Sequence, residues 1–251
     1  MLISVPAEGP IHYRKRMTMS NLSERDLAVL TKWDTPTICN ALEVVAPERR
    51  ATGFTTGVLT CLDPKLPPMI GYARTATIRA TTPSEDGADE LKARRARYYE
   101  YVADAAGPTI AVIEDLDATP GFGAFWGEVN TAVHRGLGCA GGVTNGSMRD
   151  LDDCAPGFQL LAGRVGPSHA HVHVTEFGIP VTIHGMGVVH GDIIHADQHG
   201  AVVIPASAVA ELPAAVELLQ RREAVILEAA RAPGFDIEKL RNATAGAADI
   251  H

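Results

Sequence analysis

Three side chains in one stretch have the right types to do chemistry on an anionic substrate. Residues 121–150 read GFGAFWGEVNTAVHRGLGCAGGVTNGSMRD, with Glu128 after a glycine-rich loop and the pair Arg149-Asp150 at the far end. A carboxylate beside a guanidinium can hold a hard cation through oxygen while the guanidinium clamps a planar carboxylate. A glycine loop that opens a helix adds backbone N–H groups and the positive end of the helix dipole, where an anion can sit. Together they suit an oxoacid held on a metal ion. The bland reading of Arg149-Asp150 is a surface pair whose acid caps a short helix over 151–154.

A second set is His169, His171 and His173 in SHAHVHV. On a strand, alternation would project all three imidazoles from one face. That describes either a polar strand face at a subunit contact or a transition-metal site, for example zinc.

The elements that must position these residues follow from periodicity. The run TIAVIE at 109–114 is almost wholly apolar and reads as a buried central strand, ending in acids at the glycine loop. Ligands collect at such carboxyl ends. The organising stretch itself reads as a helix over 129–135, a short strand over 139–143 and a tight turn at Asn145-Gly146. Upstream, Ser23 caps a helix bearing Leu27, Leu30 and Trp33, and Thr35-Pro36 opens a second one burying Ile38, Ala41 and Leu42. Residues 57–61 and 73–80 alternate as strands with one polar face, separated by a proline-rich turn, and a charged helix covers 86–104. Short strands are expected over 158–165, 172–175, 180–183, 192–196 and 201–204, forming a β-rich layer. A long amphipathic helix spans 207–231, and a short one is placed at 237–242.

With 251 residues and net charge −8, the chain suggests one globular body with terminal extensions. The expected division is an N-terminal arm (1–22), a main domain (23–231) and a C-terminal tail (232–251). Outside the short Arg14-Lys15-Arg16 cluster and 92–97 the basic residues are scattered, which argues against a nucleic-acid partner. Cys39, Cys61, Cys139 and Cys154 form no C-x-x-C pair and read as free thiols of a reducing compartment, so the expected location is cytoplasmic. No apolar run approaches a membrane span. P-loop, nucleophile-elbow, H-E-x-x-H and zinc-finger spacings are missing, and Gly121-x-Gly123 lacks the rest of a dinucleotide fingerprint.

The segments W-G-E at 126–128, A-G-G-V-T-N-G-S-M-R-D at 140–150, G-I-P-V at 178–181 and G-D-I-I-H-A-D-Q-H-G-A-V-V-I-P at 191–205 resemble the RraA-like family. That family includes the 4-hydroxy-4-methyl-2-oxoglutarate aldolases. The resemblance implies an α/β fold, a swivelling β/β/α domain with N- and C-terminal helical extensions, assembled as a homotrimer or homohexamer with sites between protomers. It implies a class II lyase using Mg2+ or Mn2+, which cleaves a 4-hydroxy-2-oxoacid to pyruvate plus a carbonyl compound and decarboxylates oxaloacetate. Aldolase members carry an acid, twenty intervening positions and then Arg-Asp; Glu128 keeps that register to Arg149, although the family acid is typically aspartate.

Carried over, Asp150 would be the direct metal ligand, and Arg149 would bind the oxo and enolate oxygens. Glu128 would hold the water that exchanges protons. Gly127, Val129 and Asn130 would receive the substrate carboxylate on backbone N–H groups. Glu223 would be a further acid supplied by a neighbouring protomer. The resemblance also leaves a non-catalytic, protein-binding regulator as an alternative.

Overall fold

A computed structural model describes residues 22–251, so the expected N-terminal arm lies almost wholly outside the described residues. The elements run α1 (Glu24–Leu30), α2 (Thr35–Val45), β1 (Thr60–Cys61), β2 (Met69–Arg79), α3 (Ala88–Ala103), β3 (Thr109–Asp115), β4 (Ala124–Trp126), α4 (Glu128–Gly136) and β5 (Cys139–Met148). They continue with β6 (Gln159–Val165), β7 (His173–Phe177), β8 (Val181–Ile183), β9 (Met186–Val188), β10 (Ile193–Asp197), β11 (Gly200–Ile204), α5 (Leu212–Arg231) and α6 (Ile237–Ala248). Among the described residues no helix is long and apolar enough to cross a membrane.

Nine of the described strands form one sheet in the order β1-β6-β5-β3-β2-β10-β11, with β4 beside β5 and β7 beside β2. β3 is central and parallel to both β2 and β5, as its unbroken apolar run predicts. Its side chains alternate between two cores. Ile110 and Val112 pack under the β8–β9 hairpin, with Val181, Ile183 and Met186. Ala111 and Ile113 face the helical side, with Tyr98, Val102, Trp126 and Phe158. Hairpin, sheet and helices are thus the three layers of a β/β/α body. A third core joins α1, α2 and α5 to the β10–β11 end.

The caps behave as their chemistry requires. Ser23 and Asp26 form a reciprocal capping box on α1. α2 begins one residue before Pro36, with the Asp34 carboxylate accepting from the Thr37 N–H at 2.9 Å.

Five local expectations are corrected. Asn145-Gly146 is not a turn, because β5 continues through it to Met148, with its register to β6 shifting between Thr144 and Ser147. The Asn145 amide accepts from the Asp115 N–H at 2.7 Å and donates to the Asp115 carbonyl at 3.0 Å, giving the end of β3 the pairing a strand neighbour would give. β2 has no polar face: Thr75 and Thr77 are buried, and Thr77 shares a 2.7 Å hydrogen bond with Thr175. Residues 151–154 form turns, in which the N–H groups of Asp153 and Cys154 both donate to the Asp150 carbonyl. The later strands β6, β7, β10 and β11 join the main sheet, and only β8 and β9 stand apart. The C-terminal helix is twelve residues, longer than expected, because it packs back along α5 and buries Ala243 and Ala247.

Candidate active site

The Gly121–Gly123 loop is held by Asp115 at the end of β3. Asp115 accepts from the Gly121 N–H at 2.7 Å and from the Asp117 N–H at 3.0 Å, and is 2% exposed. Burial pushes its carboxyl up against these hydrogen bonds. Asp117 is buried too, but the N–H groups of Ala80 and Thr81 and the Thr81 hydroxyl outweigh that burial and hold it below the usual carboxylate range. The acidic run that reads as a ligand-facing end is therefore structural: Asp115 holds the glycine loop, and Asp117 holds the chain at residues 80–81.

The loop feeds β4, and Trp126 is fully buried against the bare face of Gly142, where an added Cβ would lie 2.7 Å from the indole. The Trp126 carbonyl accepts from the Arg149 N–H at 3.0 Å, so the segment entering α4 is stitched to the end of β5. α4 then starts at Glu128 with Gly127 as N-cap and no side-chain cap. The N–H groups of its first turn have no partners inside the helix.

Arg149 and Asp150 sit at this helix start. Oδ2 of Asp150 lies 3.4 Å from the Glu128 nitrogen and 3.5 Å from Arg149 Nε. Oδ1 receives no hydrogen bond from the described residues. The side chains of Arg149 and Asp150 are about one-third exposed, at 37% and 35%. Asp150 has φ 52°, a left-handed conformation that aspartate tolerates better than most residues. This turn swings its carboxylate back over Gly127.

Gly127 has φ −176° and ψ −166°, which other residues also adopt, so its value is space. A Cβ there would stand 2.5 Å from Asp150 Oδ2 and 3.2 Å from Arg149 Cγ.

The first turn of α4 is clamped from α3. Tyr99 donates to Asn130 Oδ1 at 2.9 Å, and Asn130 Nδ2 donates to the Phe125 carbonyl at 2.5 Å. One turn on, buried His134 donates from Nδ1 to the Asn130 carbonyl at 2.7 Å, which leaves Nε2 to accept from the Tyr98 hydroxyl at 2.8 Å. Burial pushes His134 down to about 4 and Tyr98 well up, so both stay neutral. Sequence reading missed this clamp. The Tyr98-Tyr99 pair on a charged helix was its signal.

Of the expected site residues, the chain brings together Gly127, Glu128, Val129, Asn130, Arg149 and Asp150. Val129 is 71% exposed, and Glu128 is exposed at the helix start. Glu223 is exposed on α5, which packs on α2 and α6, and among the described residues no hydrogen bond or ion pair joins it to the other six. The histidine set is corrected: only His173 lies on a strand, His171 is in a turn that follows Ala170 at φ 46°, and the three do not share a strand face. Among the described residues no group of three His, Cys, Asp or Glu is placed to hold a metal ion. The α4 site instead offers one partly exposed carboxylate, one oxygen of which receives no hydrogen bond from the described residues. That donor set fits a hard divalent ion that keeps most of its waters.

Comparison with known proteins agrees with this architecture. A family model described as RraA-like, Aldolase/RraA, matches residues 25–203. No curated protein matches the chain in sequence. Among solved structures, an uncharacterized protein from Pseudomonas syringae pv. tomato str. DC3000 is 20% identical, with 92% of this chain and 99% of that one covered and a TM-score of 0.67. RraAS2 of Streptomyces coelicolor, an unusual member of the RNase ES inhibitor RraA family, is 23% identical over 79% of this chain and 95% of its own, with a TM-score of 0.62. A chain from novel cellulases of microbes associated with the gut ecosystem is 17% identical over 84% and 90%, with a TM-score of 0.66. At such identities these likenesses show the fold alone. With the family model spanning well over half its length, the chain belongs to the RraA-like (Aldolase/RraA) family.

Proposed function

We propose that the chain is a divalent-metal-dependent carbon–carbon lyase that cleaves a 4-hydroxy-2-oxoacid to pyruvate and a second carbonyl compound, and decarboxylates oxaloacetate at the same site. The observation that carries this reading is the convergence of Asp150, Arg149 and the uncapped first turn of α4 over Gly127. Asp150 would hold Mg2+ or Mn2+ through its free oxygen, and the ion when bound supplies Lewis-acid polarisation of the 2-oxo group.

The protein's own groups account for the rest. The substrate C1 carboxylate lies against the N–H groups of Val129 and Asn130, where the helix dipole favours negative charge. Arg149 donates to the 2-oxo oxygen. As the C3–C4 bond breaks, its electron pair moves to C2–C3 and negative charge gathers on that oxygen, facing the guanidinium. Glu128 holds the water that takes the proton from the 4-hydroxyl and returns a proton to C3, giving pyruvate. With oxaloacetate the bond that breaks is to the C4 carboxylate, CO2 leaves, and the same enolate is protonated. Glu223 would reach this site from the neighbouring protomer of a trimer or hexamer.

The test is pyruvate release from oxaloacetate and from 4-hydroxy-4-methyl-2-oxoglutarate by chelator-treated protein, with and without added Mg2+ or Mn2+. Metal-restored release that disappears in Asp150→Ala is expected. No pyruvate from either compound with either metal, or full activity in Arg149→Ala, overturns the reading.

A further inference from the structure

A cleft of about 470 Å3 opens between the start of α3, the loop before it and the segment 169–174. This is a usual size for a small-molecule site. Its polar lining is Ser84 and Arg95 with His169, His171 and His173, and Leu91 and Val172 contribute apolar wall. Leu91 and Arg95 are one helical turn apart and so share a face of α3.

The charge balance of this cleft is distinctive. Arg94 is paired with Asp86 and Arg97 with Glu90, each at 2.7 Å. Among the described residues no carboxylate lies within ion-pair distance of Arg95. Asp86, the acid that interacts with His173, is already engaged by Arg94 and by the Ser84 hydroxyl. The cleft therefore presents a guanidinium without a counter-ion.

The imidazoles are arranged as well. His169 Nδ1 lies 2.8 Å from the Ala170 carbonyl, and His173 Nδ1 lies 2.8 Å from the His171 carbonyl. A carbonyl only accepts, so each Nδ1 carries the hydrogen. Each Nε2 is left to accept from an acidic hydroxyl or, once protonated, to donate to an oxyanion. The wall that carries them is pinned in place. Ala124 N–H donates to the Ser168 carbonyl at 2.9 Å and His171 N–H to the Ala80 carbonyl at 3.1 Å.

We propose that this cleft binds a phosphate monoester with an apolar body. A phosphate monoester offers the planar guanidinium two oxygens, offers the imidazoles both an oxyanion and a hydroxyl, and lays its organic part on Leu91 and Val172. The site is separate from the one at α4 and does not depend on the lyase reading.

Titration calorimetry with the full chain tests this, using phenyl phosphate, inorganic phosphate and phenol as probes. One phenyl phosphate per chain is expected, with affinity reduced at least about tenfold in Arg95→Ala and in the double variant His169→Ala, His171→Ala. Inorganic phosphate is expected to bind more weakly and phenol not at all. Arg149→Ala is expected to keep the wild-type affinity, so that loss there with Arg95→Ala unaffected would place the anion at α4 and overturn the proposal. Unchanged affinity in both cleft variants, no heat at millimolar phenyl phosphate, or inorganic phosphate binding equally tightly also overturns it. Arg95 is exposed on a helix, so alanine there leaves folding intact, which the unfolding temperature verifies.

Discussion

A methyl group on Gly127 would fall 2.5 Å from Oδ2 of Asp150, well inside carbon–oxygen contact. The glycine's backbone is extended, so alanine meets no conformational penalty there. Gly127→Ala is therefore expected to fold with an unfolding temperature close to wild type. It moves the Asp150 carboxylate by about 1 Å, and metal-dependent pyruvate release should fall by about 100-fold. A variant that keeps its activity would show that the carboxylate is not used where it stands.

Asp150 at φ 52° separates backbone from ligand roles. An asparagine side chain at this position also tolerates the left-handed region and still accepts from the Glu128 N–H, but it lacks the charge a hard cation requires. Asp150→Asn should leave stability within about 0.5 kcal/mol of wild type. Calorimetric titration with Mn2+ should show affinity weakened by about tenfold or more. Equal Mn2+ affinity in the two proteins would remove Asp150 as the ligand.

Asn130 places the first turn of α4 through the Phe125 carbonyl and Tyr99. If the N–H groups there receive the substrate carboxylate, loosening the clamp weakens substrate binding more than turnover. Tyr99→Phe removes one hydrogen bond and should raise KM about three- to tenfold with kcat changed less than twofold, as about 1 kcal/mol of lost positioning would give. Loss confined to kcat would instead put Asn130 or Tyr99 in the chemistry.

His134 makes the fold acid-sensitive. In the unfolded chain its imidazole takes up a proton near the ordinary 6.5, whereas the folded chain resists until about 4. The unfolded state therefore binds more protons as pH falls, and stability drops through this window by about 3 kcal/mol in total. Buried His195, also held down by burial, acts in the same direction. Unfolding free energy measured from pH 7 to pH 4 should fall more steeply in wild type than in His134→Gln. Parallel slopes would show that His134 does not carry this dependence.

The one-dimensional pattern was enough for β3, whose apolar run needs burial on both faces, and for the Ser23 capping box, whose partners are three residues apart. It also pointed to the candidate site, because Trp126-Gly127-Glu128 and Arg149-Asp150 stand at the spacing that carries the family resemblance, with a glycine loop ahead of them and a helix between. Tertiary structure alone decided the rest. Asn145-Gly146 has every local mark of a turn, yet the unpaired N–H and carbonyl of Asp115, thirty positions earlier, draw Asn145 into an extended strand. The threonines of β2 read as a polar face until Thr175 supplies an interior partner for Thr77. Alternation set three histidines on one strand, but Ala170 at positive φ breaks the strand before it starts. Gly127 looks like any loop glycine until the carboxylate that fills its empty face is in place. For Asn145, Thr77 and Gly127 a partner distant in sequence supplies the hydrogen bond or occupies the volume, and periodicity carries no record of distant partners.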